Sequence, residues 1–383
     1  MAKLLQVAQV SFFTDPNGRT PEELLALWTP LVDVAESVAR AGVQVSVLQA
    51  SSHSRSLSRG EVDYHFLPFG GGSPTDAKDD GFGSLIKRLA PDVIHVHGLG
   101  FPQDVLSVAE LAPDAAIVVQ DHADRPPRFW RRAAWRRCSH VISGVSFCTR
   151  EHAEPFVKAG LLQQRTRVYE IPESTSRFTP VEKAEARRAA EVGGDPVLLW
   201  VGNLDENKDP LTVLAGISAA ARAIPGLQLW CCFGRAPLLG DVQRRIQNDP
   251  VLNGRVHLLG SVPHARVEQL MRAADVFVLG SHHESTGFAL IEALACGVFP
   301  VVTDIPSFRS MTAAGTVGKL WPCGDPHALA DALQAVVPAL NSGTRARMRA
   351  HFERELSIDA MGSKLVAMYE DAAGRRQMRT SQG

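Results

Sequence analysis

Long apolar runs are what this chain most plainly lacks. No uninterrupted stretch approaches the roughly 20 residues that cross a bilayer. The opening MAKLLQVAQVSFFTDPNG has neither the longer apolar core nor the small-residue cleavage site of a secretory signal. A cytoplasmic protein is expected. An excess of one charge sign is missing too: 40 Lys and Arg against 41 Asp and Glu leave a formal charge of −1. That balance argues against a general nucleic-acid binder, which needs a basic surplus. Six cysteines (Cys138, Cys148, Cys231, Cys232, Cys296, Cys323) occur with no CxxC pair. Most have apolar neighbours, so they read as reduced core residues rather than a disulfide framework or a zinc site. No candidate strand is followed by G-x-G-x-x-G, which sets aside a nicotinamide dehydrogenase. No Asp-rich metal motif is present either, so neither a metal nor another cofactor is expected.

What is present is ordinary globular material, 45% apolar and 21% charged, in a length that suits two domains of roughly 150–200 residues. Apolar runs of strand length occur at 4–10, 43–49, 92–97, 115–120 and 140–146. A second series follows at 196–202, 227–234, 255–260, 275–280 and 299–304. Helix-like segments lie between them. One is PEELLALWTPLVDVAESVARAG, which puts Leu24, Leu27, Leu31, Val32 and Val38 on one face and ends at Gly42. Continuous apolar strands alternating with helices imply parallel sheets covered on both faces. The expected fold class is α/β, with two Rossmann-like domains facing each other across a cleft. The prolines and small polar residues of IPESTSRFTP place the joint near 171–180. The domains are therefore expected at 1–172 and 173–357, with a terminal helix at 358–375 joining the first.

Ligands of open α/β sheets bind in loops at the carboxyl ends of strands. In VGNLDENKDP, Lys208 stands at such a strand mouth, either as a mobile charge for a phosphate or as a solvated loop lysine. In GSHHESTGFALIEALACG, Ser285 and Thr286 suit an N-cap, and Gly287 opens the first amides of a helix to an anion. Glu292 is a carboxylate among Ala289, Leu290, Ile291, Ala293, Leu294 and Ala295, a costly position unless donors such as ribose hydroxyls meet it. Its other reading is a single wet stripe on the helix. FGRAPLLG, with Gly234, is either a base- or sugar-facing loop or a plain strand–helix turn.

The succession VGNLDENKDP, CCFGRAPL, RVHLLGSVPHARVEQLMRAADVFVLGS and ESTGFALIEALACGVFPVVTDIPSF resembles the donor domain of the GT-B glycosyltransferases. More narrowly it is similar to glycosyltransferase family four, the group one transferases. The resemblance is strong over 197–325 and in outline before 170. It implies that a nucleoside-diphosphate sugar is bound, that a hexosyl group passes to an acceptor hydroxyl without a metal, and that the anomeric configuration is retained. It matches Glu284 to the residue on the transferred sugar, Glu292 to the ribose, and Lys208 to the diphosphate. Gly202 and Asn203 border that loop, Ser285 belongs to the same donor site, and the amides around Thr286, Gly287 and Phe288 match the helix start that cradles the distal phosphate. Val262, in Gly260-Ser261-Val262-Pro263, falls near the nucleobase. One position departs from the family: Asn203 stands where an arginine is usual. That removes a charge-assisted contact worth roughly 1.5–3 kcal/mol and leaves the charge to Lys208, or to Arg235 or Lys319.

On the acceptor side the resemblance matches His122, in VVQDHADRPP, to a histidine near the reacting carbon, and Asn17-Gly18 to a first loop near phosphates and acceptor. His97 ends a preceding strand and is a further candidate for substrate contact. RPPRFWRRAAWRRC (125–138) gathers six arginines with Phe129, Trp130 and Trp135. It reads either as a basic surface over 125–137 that touches anionic lipid or a phosphorylated acceptor, or as a solvated arginine face with its aromatics in the core. Transfer is the leading function. The alternatives are a non-catalytic sugar-nucleotide-binding or scaffold protein, motivated by Asn203, and a phosphorylase or epimerase on the same fold. Base, sugar and acceptor are not written in these motifs.

Overall fold

The structure, a computed structural model, describes residues 4–68, 81–122 and 125–380. The chain divides into two compact units. The first takes the residues up to Thr175 together with those from Ile358 onward, and the second takes Ser176–Ser357.

The first unit holds β1 (Gln6–Ser11), β2 (Gln44–Ser51), β3 (Arg55–Arg59), β4 (Val62–Pro68), β5 (Val93–His97), β6 (Ala116–Gln120), β7 (Ile142–Phe147) and β8 (Arg167–Glu170). They form one eight-stranded sheet in the order β3-β4-β2-β1-β5-β6-β7-β8. All its pairings are parallel except β3 with β4, a hairpin at the sheet edge. Strand faces alternate, so Val7, Val45, Val47, Val93 and Val118 build one apolar layer while Ala8, Val10, Ile94, Val96 and Ile117 build the other. The first layer is covered by the helix Thr29–Arg40 and by Met361, Leu365, Met368 and Tyr369 of the helix Ile358–Thr380. The two helices cross closely at Gly362, where a Cβ would collide with the Ser37 carbonyl. A terminal segment distant in sequence thus completes the first unit's core.

The periodic segment from Pro21 does not form one helix. It forms two, Pro21–Leu27 and Thr29–Arg40, broken at Trp28. Pro30 is the cause: within a continuous helix it would lack the hydrogen bond to Ala26 and its ring would crowd that carbonyl. The break turns Leu27, expected on the core face, outward to 58% exposure, while Leu24 and Leu25 stay buried.

The second unit holds β9 (Val197–Val201), β10 (Gln228–Cys232), β11 (Val256–Gly260), β12 (Val276–Leu279), β13 (Phe299–Thr303) and β14 (Lys319–Trp321). Its six-stranded sheet runs β11-β10-β9-β12-β13-β14, parallel throughout the described pairings. This is the doubly wound 3-2-1-4-5-6 order, whose direction of winding reverses between β9 and β12. In the first unit the same reversal falls between β1 and β5. Each switch point leaves a crevice at the carboxyl ends of its own sheet's strands, where ligands of such sheets bind. All six cysteines are unpaired, and all but Cys323 are buried.

Candidate functional site

At the second unit's switch point, the loop after β9 meets the loop after β12. Val201 ends β9, and Gly202 N–H donates to Cys232 O of β10 at 3.1 Å. The loop then turns back so that Lys208 N–H donates to the Asp205 carbonyl (3.1 Å) and to its carboxylate Oδ1 (3.0 Å). Asp209, whose side chain caps the helix Pro210–Ala221 through Thr212 N–H (3.2 Å), fixes the exit. Lys208 is thereby aimed at Glu284 Oε1, with which its Nζ forms an ion pair. Ser281 Oγ donates to the same oxygen at 2.6 Å. Ser281 is itself held, because its carbonyl accepts from Thr303 Oγ1 of β13 at 2.5 Å. The Glu284 carbonyl accepts from Ser307 Oγ at 3.1 Å. The pair is only 17% and 13% exposed at its side chains, so solvent screens it weakly.

Four residues past Glu284 the helix Phe288–Ala295 begins. Its N-cap is Gly287, at φ 87°, and not Ser285 or Thr286 as the sequence suggested; no side chain caps this end. The reason is steric. The backbone is left-handed there, and a Cβ at Gly287 would lie 2.7 Å from the Phe308 ring. The amides of Phe288 and Ala289 in the first turn have no intrahelical acceptor, and the helix dipole adds positive potential beside them. Thr286 is buried, Ser285 half-buried and Phe288 exposed.

Glu292 lies one turn further along, its side chain 14% exposed between fully buried neighbours. His264 Nε2 donates to its Oε1 at 2.6 Å. His264 opens the helix that follows Gly260-Ser261-Val262-Pro263, and its ring leans on Phe178 at 4.8 Å. The structure thus links the Val262 loop to Glu292 through a histidine that sequence reasoning passed over. Asn203 is engaged structurally: its Oδ1 accepts from Arg235 N–H at 3.1 Å and ties the β9 and β10 loops beside Gly234. Of the two substitute cations, Arg235 is in this loop set, with its side chain 80% exposed. Lys319 is not, because it starts β14 at the amino end of an edge strand.

The first unit's switch point has a different character. A cavity of about 450 Å³ is lined by Ser11, Phe13 and Thr14 after β1, Trp28, Gln49, and His97 with His122. Asn17 and Gly18 are in the same loop as Phe13, but the cavity wall uses Phe13 and Thr14 instead. His122 Nδ1–H donates to Glu173 Oε2 at 2.6 Å, and its Nε2 is 3.1 Å from His97 Nδ1. His97 stacks on His95 at 4.6 Å, and His95 Nδ1 is 2.7 Å from the Tyr369 hydroxyl. Burial holds both inner imidazoles neutral. His95 is lowered to about 3, and His97 well below the usual histidine value with help from its histidine neighbours.

Residues 195–338 match the family model described as glycosyl transferases group 1. This unit is a group 1 glycosyl transferase domain. The chain that carries it is a sugar-transferring enzyme with the GT-B fold. It is 27% identical over 268 residues to a GDP-mannose:cellobiosyl-diphosphopolyprenol alpha-mannosyltransferase of Xanthomonas campestris, covering 68% of each chain. It is 32% identical over 228 residues to a D-inositol 3-phosphate glycosyltransferase of Geodermatophilus obscurus, covering 56% of this chain and half of that one. In structure it superposes on Anabaena Alr3699/HepE, solved in complex with UDP, with a TM-score of 0.69. That match covers 96% of this chain and 100% of the other at 15% identity.

In this glycosyltransferase the sequence-marked residues therefore fall into two sets. Lys208, Glu284, Gly287 and Glu292 converge at the switch point of the second unit, while His97 and His122 meet at that of the first. Ser281, His264 and Glu173 are the residues that reading the sequence missed. Ser281 is three residues before Glu284, and a hydroxyl at that spacing was the available signal. Glu173 carried none, since it sits in the segment that reads as a linker.

Proposed function

We propose that this glycosyltransferase moves a hexosyl group from a nucleoside-diphosphate sugar to an acceptor hydroxyl, with retention at the anomeric carbon and without a metal ion. The observation that carries the reading is the weakly screened Lys208–Glu284 pair placed just ahead of a helix start with unfilled amides. As the nucleoside diphosphate departs, charge builds on its distal phosphate. Lys208 and the amides of Phe288 and Ala289 would offset that charge from fixed positions, the arrangement that stabilises a transition state most effectively. Glu284 and Glu292 are each held through Oε1. In this reading each turns Oε2 to ligand hydroxyls, Glu284 to the sugar and Glu292 to the ribose. Because Glu284 is tied to both Lys208 and Ser281, it suits positioning better than nucleophilic attack. Retention is accordingly assigned to displacement on the face the leaving group vacates. His122, polarised by Glu173, would donate to the sugar or to developing charge. The Xanthomonas relative's name specifies GDP-mannose and the Anabaena structure contains UDP, which supports a nucleotide sugar without choosing its base.

A thermal-shift series with UDP, GDP, ADP and their sugar conjugates tests the donor. At a hundredfold excess over Kd one of them should stabilise the protein by about 2.7 kcal/mol. Release of that nucleoside diphosphate should persist in a chelator, and the product anomer should match the donor's. No shift with any nucleotide, together with no release across acceptors, would sink the reading.

A further inference from the structure

The segment from Arg125 to Arg137 has no part in either switch point. It splits the two sequence readings between its aromatics. Trp135 and Cys138 turn inward and are 3% and 0% exposed. Phe129 and Trp130, on the short turn Phe129–Arg131, are 76% and 58% exposed. The two exposed rings pack edge to face at 5.0 Å, and the Arg128 guanidinium sits 5.3 Å over the Trp130 ring. Around them Arg125, Arg131 and Arg137, with Trp130 and Asp104, line a cavity of about 600 Å³. Arg132 braces the segment by donating to the Pro127 carbonyl at 3.0 Å.

Three features together select a partner. Six arginines stand in the segment, and no acidic residue occurs from Arg125 until Glu151. None of the six forms an ion pair among the described residues, although the chain as a whole is charge-balanced at −1. Two adjacent large rings are held in water at its centre. Solvated arginines alone need no aromatics, and a soluble phosphate site would not leave two large rings more than half exposed to water. Rings at the surface with cations beside them match the interfacial layer of a bilayer, where aromatic side chains rest at headgroup depth and arginines meet lipid phosphates.

We propose that residues 125–137 form a docking surface for an anionic membrane, with Phe129 and Trp130 entering the headgroup layer and the surrounding arginines holding lipid phosphates. This stands independently of the donor assignment. The test is flotation of the full chain with phosphatidylcholine vesicles, with and without about 30 mol % phosphatidylglycerol, where binding should be roughly tenfold or more tighter to the anionic vesicles. The double variant Phe129→Ser, Trp130→Ser should weaken that binding about fivefold or more. The triple variant Arg128→Gln, Arg131→Gln, Arg137→Gln should reduce it to the level seen with phosphatidylcholine alone. Both variants should keep the wild-type melting temperature, since only exposed side chains change. Binding indifferent to lipid charge overturns the proposal, as does wild-type binding by both variants. Arginine-dependent binding to vesicles and to soluble heparin alike, undiminished in the Phe129–Trp130 variant, also overturns it and shows a polyanion site instead.

Discussion

The strand ends of the second unit carry the Lys208–Glu284 ion pair and a Glu292 carboxylate held by His264, whereas the cavity at those of the first is lined by Phe13, Leu27, Trp28, Pro30 and Leu31 together with Gln49, His97 and His122. Gln49, His95, His97 and Gln120 are all buried there, and the Glu173 carboxylate reaches this group through His122. Each unit has its own switch point, with a crevice at the carboxyl ends of its strands. The difference shows that a switch point supplies only location, while the side chains after its two central strands decide which charge it can receive. A crevice with a cation and free amides suits a leaving diphosphate. One built from buried neutral groups suits an uncharged partner, and ties its own stability to keeping those groups neutral.

The sharpest way to break this contrast is at Lys208. Lys208→Ala should lower turnover about 100- to 1,000-fold, the cost of losing one donor to a developing anion, with nucleoside-diphosphate release as the measurement. Removing the lysine strands Glu284, so the double variant Lys208→Met, Glu284→Gln separates charge from folding. It should melt near the wild-type temperature and remain as inactive. Near-normal turnover in both would show that the ion pair is architecture only.

Acid should act on the other unit. Folded, His95 and His97 stay neutral; unfolded, they take up protons near the ordinary histidine value of 6.5. Protons therefore favour the unfolded chain, and stability is lost as the pH falls from 6.5 toward the lowered folded values. The slope is about 1.4 kcal/mol per pH unit for each histidine. Urea unfolding between pH 7 and pH 5 reads this directly, and His95→Gln should flatten it. A flat profile in the wild type would mean that the first unit's polar layer is not held neutral by burial.

The smallest effect is expected at Asn203. Asn203→Arg adds a second cation for the diphosphate but gives up the bond from Arg235 N–H, worth about 1 kcal/mol. The donor KM should fall by about two- to tenfold with kcat little changed. A raised KM would mean that the tie between the β9 and β10 loops matters more than the charge.

How far the sequence can be read varies along the chain for physical reasons. Each apolar run marked above forms a strand, because strands buried on both faces of a parallel sheet must be continuously apolar. Of the four described strands with no such run, β3 (RSLSR) is an exposed edge, β8 (RVYE) is another edge, β14 is only three residues long, and β4 (VDYHFLP) carries polar residues between its buried ones. Edge strands need no apolar run, so they leave little trace. The helix expected from Pro21 failed at Pro30, a breaker hidden inside a good apolar period. Lys208, Glu284, Gly287 and Glu292 stood out because each is expensive or pointless as surface filling. Ser281, His264 and Glu173 did not, being ordinary polar residues in ordinary loops.

The sequence by itself determined the two α/β series, the placement of candidate residues after particular strands, and the likeness to the group 1 transferases. These follow from local periodicity and from short motifs whose spacing is read along the chain. Which groups meet was decided only by the tertiary structure. Lys208 and Glu284 are 76 positions apart, and His95 and Tyr369 are 274 apart. Such partners are brought together by strand order and by a terminal helix packing back on the first sheet. The same holds for which of Phe129, Trp130 and Trp135 is buried, since composition is identical in either arrangement and only packing against the rest of the unit chooses between them.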